Sequence, residues 1–331
     1  MVGKTQNRLI SAKAAGDING DGYADLAVSF EDSTSIYLGN PDFELKQDYL
    51  FQYGFYINTG DINNDGYSDY IILSGFPSGN KSFKLHFGGE ELDSTGILIR
   101  ETQGFYYIFS DKVNPIGDMN GDGYNDFAIS IPYNGYNAIS YVYLYLDGDS
   151  ISSEPFVTFE HSPWIDPSSE GTFGDVVTGI GNQNNDGYDD LLISDPANNG
   201  VAGDSGRMYL YYGGSDIDTI ADSILTFHDK YFGSYLKNLG DINNDFKEDF
   251  AITSYDSCVI YFNFDSIITT DFYGSGYGIG GNGDINNDGI KDLIIGDPSY
   301  KDSVNFIGKF DVFTGNNNFK FIPNFSNVGK Q

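Results

Sequence analysis

A single cysteine, Cys258, serves 331 residues, so no internal disulfide can form. With no histidine near it in sequence it is a poor nucleophile candidate, and it reads as a small buried apolar residue. Tryptophan occurs once, and lysine and arginine total 17 against 48 acidic residues, for a formal charge of −31. Nucleic acid and anionic membrane surfaces need a basic patch, so this balance argues against both as partners. The opening MVGKTQNRLI has no apolar signal core, so no signal peptide is read within this sequence. The stretch from Phe127 to Leu146 is free of charge, but Pro132, Asn134, Gly135 and Asn137 interrupt it, and it reads as two strands and a loop rather than a membrane span. Gly-Xaa-Ser-Xaa-Gly, His-Glu-Xaa-Xaa-His and phosphate-loop motifs are missing. His86, His161 and His228 stand far apart, on or beside aromatic stretches, as ordinary surface or core residues.

The composition is rich in the material of turns and strands: 42 glycines, 26 tyrosines and 26 phenylalanines, in a chain 40% apolar. A core of that size is within reach, and the length points to several domains or a repeat architecture. The repeat is visible. DINGDGYAD from Asp17 recurs as DINNDGYSD from Asp61, DMNGDGYND from Asp118, NQNNDGYDD from Asn182, DINNDFKED from Asp241 and DINNDGIKD from Asp284.

Alternate oxygen-bearing side chains in a tight loop converge on one point, and calcium takes six to eight hard oxygen ligands. Positions 1, 3 and 5 supply Asp17, Asn19 and Asp21; Asp61, Asn63 and Asp65; Asp118, Asn120 and Asp122; Asn182, Asn184 and Asp186; Asp241, Asn243 and Asp245; Asp284, Asn286 and Asp288. Position 7 offers a backbone carbonyl, which leaves its side chain free to vary: Tyr23, Tyr67, Tyr124, Tyr188, Lys247 and Ile290. Position 9 is aspartate throughout: Asp25, Asp69, Asp126, Asp190, Asp249 and Asp292. An EF-hand closes on an acidic residue at position 12. Here that place holds Val28, Ile72, Ile129, Ile193, Ile252 and Ile295, inside short apolar runs that read as buried strands. The loop therefore closes at position 9. The fourth loop, starting with Asn182, carries one negative charge fewer and is expected to bind more weakly. In the fifth, Phe246 replaces the position-6 glycine and requires a strained backbone or a different turn, which makes the site at 241–249 the doubtful one of six. Seventeen aspartates occupy ligand positions. Six Ca²⁺ ions would leave a charge of about −19.

Each loop sits in a larger unit. A small-residue strand such as RLISAKAAG precedes it and the apolar strand follows. After a variable segment comes an alternating aromatic strand: STSIYLG, SFKLHFGG, SYVYLYL, GRMYLYYGG, SCVIYFN or GKFDVFTG. GILIRE, FVTFEH and FKFIPNF are examples of a closing strand. Four antiparallel strands per repeat make an all-β propeller blade. The assembly resembles the FG-GAP repeat, the blade unit of the integrin alpha-chain β-propeller and of many bacterial extracellular proteins. Aromatic-Gly pairs stand before loops at Tyr53-Gly54, Phe173-Gly174, Phe232-Gly233 and Tyr277-Gly278, and the Gly-Ala-Pro signature takes the form Ser194-Asp195-Pro196 and Gly296-Asp297-Pro298. The resemblance covers nearly the whole chain and implies calcium ligation at positions 1, 3, 5, 7 and 9. It also implies a ring commonly of seven blades. Six are counted, as one propeller domain over 1–331 with blades at about 5–50, 51–101, 102–161, 168–228, 229–272 and 273–325. Six blades closed by packing are favoured, with part of a seven-bladed ring as the alternative.

The resemblance places ligand binding on the loops opposite the metal loops. Trp164, Tyr133, Tyr136 and Tyr300 fall on those segments and could stack on sugars or anchor a protein. The expected function is a non-enzymatic, calcium-stabilised binding or adhesion module outside the cell or on its surface, with a protein or glycan partner. The alternatives are a polysaccharide lyase or hydrolase using the loop face, and an architectural module of a larger surface protein.

Overall fold

The computed structural model describes residues 8–328 except 43, 45, 53, 76–80, 93, 103–112, 132–138, 147–150, 162–171, 197–205, 228–230, 255–256, 263–265, 272–277, 298–299, 302–306, 318 and 321. The described residues form six four-stranded antiparallel sheets, each with its strands in chain order, and no helix. This is the all-β blade architecture of a β-propeller. The first sheet contains β1 (Leu9–Gly16), β2 (Asp25–Phe30), β3 (Ser33–Tyr37) and β4 (Gln47–Gln52). The second contains β5 (Gly54–Gly60), β6 (Asp69–Ser74), β7 (Lys81–His86) and β8 (Ile97–Thr102). The third is β9 (Val113–Gly117), β10 (Asp126–Ile131), β11 (Ser140–Tyr145) and β12 (Val157–His161). The fourth is β13 (Val177–Gly179), β14 (Leu191–Asp195), β15 (Arg207–Tyr211) and β16 (Ser223–Thr226). The fifth is β17 (Tyr235–Gly240), β18 (Asp249–Thr253), β19 (Ser257–Phe262) and β20 (Ser266–Asp271). The sixth is β21 (Ile279–Gly283), β22 (Asp292–Asp297), β23 (Lys309–Phe313) and β24 (Phe325–Val328). The chain divides into two compact units, Met1–Pro115 with Asp122–Ile129 and Leu144–Phe156, and Ile116–Gly121 with Ser130–Tyr143 and Val157–Gln331.

One closing strand differs from expectation. FKFIPNF contributes only its final phenylalanine, because β24 begins at Phe325, just past Pro323. Proline has no N–H to give a ladder, so pairing to β23 starts beyond it.

Each described joint between consecutive sheets repeats one packing rule. Ala27 of β2, at position 11 of the repeat, is buried with Ile36 against Tyr70 and Ile72 of β6, positions 10 and 12 of the next sheet. Leu192 meets Phe250 and Ile252 in the same way, and Ala251 meets Leu293 and Ile295. The second strand is thus sandwiched, its odd position facing one neighbour and its even positions the other. That explains why it is a continuous apolar run instead of an alternating one. First strands come closer still: a Cβ on Gly179 would lie 2.1 Å from the Ile116 carbonyl oxygen, and one on Gly281 2.8 Å from Leu239 Cα. Glycine there is a packing requirement.

Aromatic pairs between second and third strands fill the sheet faces. Phe250 stacks on its register partner Tyr261 at 5.1 Å, and Phe127 on Tyr145 at 5.0 Å. His86 takes the aromatic place opposite Tyr70, stacked at 5.1 Å and 2° and buried, so it is a core histidine as expected. Cys258 is buried, and burial pushes its thiol up to about 12. No helix among the described residues is long and apolar enough to cross a membrane.

Candidate metal centre

The nine-residue loops link first strands to second strands, and their own side chains fold them. In the first loop Asp17 Oδ1 accepts the N–H groups of Gly20 (2.7 Å) and Asp21 (3.1 Å), and Asp17 Oδ2 that of Gly22 (2.8 Å). Asp21 Oδ1 accepts Tyr23 N–H at 2.9 Å, and Asn19 Nδ2 donates to Asp21 Oδ2 at 3.0 Å. The last contact brings positions 3 and 5 together, and it recurs at 2.8 Å for Asn63–Asp65, Asn184–Asp186 and Asn286–Asp288 and at 2.9 Å for Asn243–Asp245. Position 1 thus wraps the turn while positions 3 and 5 touch each other, all through oxygen-bearing groups. Among the described residues no three acidic, histidine or cysteine side chains gather into a metal-holding group by themselves. The donors fit a hard cation that also takes amide and carbonyl oxygens, and not a transition metal that requires nitrogen or sulfur.

Position 9 lies deeper. Asp25, Asp69, Asp126, Asp190, Asp249 and Asp292 are all buried, although the loop above them is largely solvent-exposed. Each described Oδ2 accepts the N–H of position 2: Ile18 (2.8 Å), Ile62 (2.9 Å), Gln183 (2.7 Å), Ile242 (2.9 Å) and Ile285 (2.7 Å). Oδ1 accepts the N–H of a glycine two residues beyond the third strand: Gly39 (2.7 Å), Gly88 (2.8 Å), Gly213 (3.0 Å) and Gly315 (2.9 Å). The carboxylate ties the loop to the far end of its own sheet. A carboxylate oxygen has two acceptor sites, so these bonds leave capacity for a cation. Burial raises the carboxyl of Asp25, and takes Asp69 to about 7, Asp190 to about 6 and Asp249 to about 8, with the N–H bonds opposing the shift and the neighbouring loop aspartates adding to it. A cation beside them would counter that rise.

Sequence reasoning missed this second role of position 9, and the glycine that serves it. A Cβ on Gly88 would lie 2.6 Å from the Ser68 carbonyl oxygen, and one on Gly213 2.2 Å from that of Asp189. The signal was present in the sequence as the Gly of LGN, FGG, YGG and FTG. The position-7 side chain also proves to have a place. The Tyr67 ring lies over Gly20 and the Tyr188 ring over Gly121, where a Cβ would come within 2.4 and 2.6 Å of them.

Loops also bond to the following sheet. Ser68 N–H donates to the Asp17 carbonyl at 2.9 Å and Gly89 N–H to that of Ile18 at 2.8 Å. Asp189 N–H and Gly214 N–H do the same for Asp118 (2.9 Å) and Met119 (2.8 Å), and Asn316 N–H for Ile242 (3.0 Å).

The fifth loop keeps the common turn despite its residues. Phe246 adopts φ 70°, a positive φ like the 86–100° of the position-6 glycines, and its N–H reaches Asp241 Oδ2 at 2.8 Å. Of the two outcomes open to it, the chain takes the strained backbone, with the ring 92% exposed. The glycine beyond the third strand is replaced by Asn263, which lies outside the described residues, and among the described residues Asp249 Oδ1 has no hydrogen-bond partner. A different tie involves Lys247: its ammonium donates to the Gln183 carbonyl at 2.8 Å, the position-2 acceptor that in other joints takes a backbone N–H. In the fourth loop, Asn182 accepts from Asp186 N–H at 3.1 Å.

Of the aromatic residues expected on the opposite loops, Trp164, Tyr133 and Tyr136 lie outside the described residues. Tyr300 is 38% exposed, with Lys309 Nζ 5.7 Å from its ring centroid. His161 Nδ1 lies 3.4 Å from the buried Asp195 carboxylate, which also accepts from Thr172 Oγ1 at 2.7 Å. His228 lies outside the described residues.

Residues 17–72, two loops with the sheet elements between them, match the FG-GAP-like repeat family. The chain is 33% identical over 107 residues to integrin alpha-IIb of Mus musculus, covering 32% of this chain and 10% of the relative. It is 29% identical over 103 residues to integrin alpha-V of Gallus gallus, covering 30% of this chain and 10% of that one. With integrin alpha-6 of Homo sapiens it shares 25% identity over 199 residues, 57% of this chain and 16% of the relative. The matches therefore span between about a tenth and a sixth of these relatives' lengths. The FG-GAP resemblance read from the loop motifs is borne out, and none of these relatives is named for an enzymatic activity.

Proposed function

We propose that this chain is a calcium-stabilised β-propeller module for binding or adhesion, not an enzyme, working outside the cell or at its surface. The carrying observation is the recurrence of one oxygen-donor loop, with positions 3 and 5 in contact at 2.8–3.0 Å in the first, second, fourth, fifth and sixth loops. Similarity to integrin alpha chains supports the reading as a binding module. Positions 1, 3 and 5, the position-7 carbonyl and position 9 would hold the ion. Bound calcium would supply charge neutralisation, offsetting the mutual repulsion of the loop carboxylates. The chain's own residues do the rest. Position 1 shapes the turn, and position 9 carries the constraint down to the end of the third strand. The carbonyls of positions 1 and 2 pass it to the next sheet. Extracellular calcium is concentrated enough to fill weak sites. A protein or glycan would be met by the loops at the opposite ends of the sheets, where Tyr300 stands.

The test is thermal unfolding with calcium and with EDTA. Several sites, each stabilising by a few kcal/mol when saturated, should raise Tm by roughly 10–20 °C in calcium. A melting curve indifferent to chelation would sink the calcium assignment. Glycan-array binding run beside a reducing-sugar release assay checks the rest: turnover without retained binding would return the enzyme reading.

A further inference from the structure

The position-7 tyrosine of the second loop belongs to two loops at once. Its carbonyl is the oxygen that position 7 offers the second loop, and its N–H bonds to Asp65 Oδ1 at 2.9 Å. Its ring reaches the first loop: a Cβ on Gly20 would lie 2.4 Å from Tyr67 Cε1 and 3.0 Å from Cδ1. Gly20 is position 4, between the donors Asn19 and Asp21, and holds φ 72°. The ring therefore rests on the backbone that joins those two donors. Glycine at this place leaves the room that a side chain would fill.

Ser68 extends the same contact. Its N–H donates to the Asp17 carbonyl at 2.9 Å, and its Oγ stands 2.2 Å from where a Cβ on Gly16 would lie. Next in the chain is Asp69, whose Oδ1 accepts Gly88 N–H at 2.8 Å, and Gly89 beside it donates to the Ile18 carbonyl at 2.8 Å. Residues 67–69 thus carry the last two donors of the second loop together with supports for Gly16, Asp17 and Gly20 of the first. All of them lie in one compact unit, Met1–Pro115. Residues 20–24 are exposed to solvent, so the tip of the first loop is ordered by its own Asp and Asn side chains and by this ring.

We propose that Tyr67 couples cation binding at the first two loops, so that filling one raises the affinity of the other. This rests on the calcium reading above and adds to it a positioning residue for the first site. An ion in the second loop would draw in the Tyr67 carbonyl and the Asp69 carboxylate and so fix the backbone at 67–69. That holds the ring on Gly20 and the Ser68 N–H on Asp17, and part of the ordering cost of the first loop is met before its own ion arrives. Linkage makes the effect reciprocal. Charge works the other way, since an ion in one loop lessens the pull of its aspartates on the next ion. The loop tips are solvent-exposed, and at physiological ionic strength such fields decay over about 8 Å, so the ordering sets the sign.

The experiment is hydrogen–deuterium exchange of the full chain at increasing free calcium, read by mass spectrometry on peptides covering 16–24 and 60–68, which gives each loop its own midpoint. Asp65→Asn keeps an acceptor for the Tyr67 N–H but removes a charge from the second site, and should raise the first loop's calcium midpoint by about fivefold or more. Tyr67→Ser keeps the position-7 carbonyl and removes the ring, and should do the same, whereas Tyr67→Phe should hold the wild-type midpoint. Asp65→Asn combined with Tyr67→Ser should move the first loop no further than the larger single shift. A ring that merely props the first loop would act with or without the second site, so the two shifts would add. Additive shifts, or a first-loop midpoint that stays put in both single variants, overturn the proposal. If Tyr67→Ser loses its circular dichroism spectrum, Asp65→Asn, altered at an exposed position, decides alone. Exchange indifferent to calcium in every loop overturns the calcium reading and the coupling with it. Calcium-dependent protection with an unmoved first-loop midpoint overturns the coupling only.

Discussion

The second and fifth loops share a hydrogen-bond skeleton but not a sequence. In both, position 5 N–H bonds to position 1 at 3.1 Å, and position 7 N–H bonds to the position-5 carboxylate at 2.9 and 3.0 Å. Position 9 takes position 2 at 2.9 Å in each. Yet Gly66, Tyr67 and Gly88 of the second repeat correspond to Phe246, Lys247 and Asn263 of the fifth. The shape of the loop is therefore dictated by its four Asp and Asn side chains, which supply acceptors to backbone N–H groups that would otherwise go unpaired. Glycine at position 6 only lowers the cost of that shape. What differs is how each loop is tied to the preceding one: the position-2 carbonyl there accepts a backbone N–H, that of Gly89, in one, and a lysine ammonium, that of Lys247, in the other.

The largest expected effect tests the tie beneath the loop. Asp69→Ala strands two buried N–H groups, those of Ile62 and Gly88, and should cost about 3–5 kcal/mol in urea unfolding. Asp249→Ala leaves the Ile242 N–H without its acceptor, and with no glycine N–H on Asp249 Oδ1 among the described residues it should cost about half as much. Equal losses would break the contrast between the two loops. Next is Lys247→Met, which keeps the aliphatic stem but removes the charge-assisted bond to Gln183. Urea midpoints should fall by the equivalent of about 1–2 kcal/mol, while Tyr67→Met in the second repeat loses no such bond. The smallest effect has the opposite sign. Phe246→Gly relieves a positive φ and removes a ring that is 92% exposed, so it should stabilise by about 1 kcal/mol. Calorimetric melting that shows a loss instead would mean that the ring is held against something in solution.

Much of this could be read from the chain. The aspartate at position 9 followed by an apolar run placed a strand directly after each loop, and β2, β6, β10, β18 and β22 begin at that aspartate. Alternation and glycine placement gave four strands per repeat. The last strand was misplaced because the aromatic stretch before Pro323 looked like a ladder, and pairing depends on N–H supply as well as on apolar character. The burial of position 9 was not legible, since an aspartate in a turn is ordinarily solvated. Nor was the role of Lys247, which in sequence is simply a cation where other repeats have tyrosine or isoleucine.

The sequence by itself determined the loop, its oxygen donors and the order of strands, because those depend on residues within a few positions of one another. Tertiary structure decided which of those residues carry the joints. The glycine that meets Asp25 is 14 residues away, and the carbonyl that meets Lys247 is 64 residues away. It also decided that Ile18 and Ile285, the same residue at the same place in the repeat, are 0% and 58% exposed. A repeat encodes each unit alike, but burial requires a neighbour, and only the folded chain brings one.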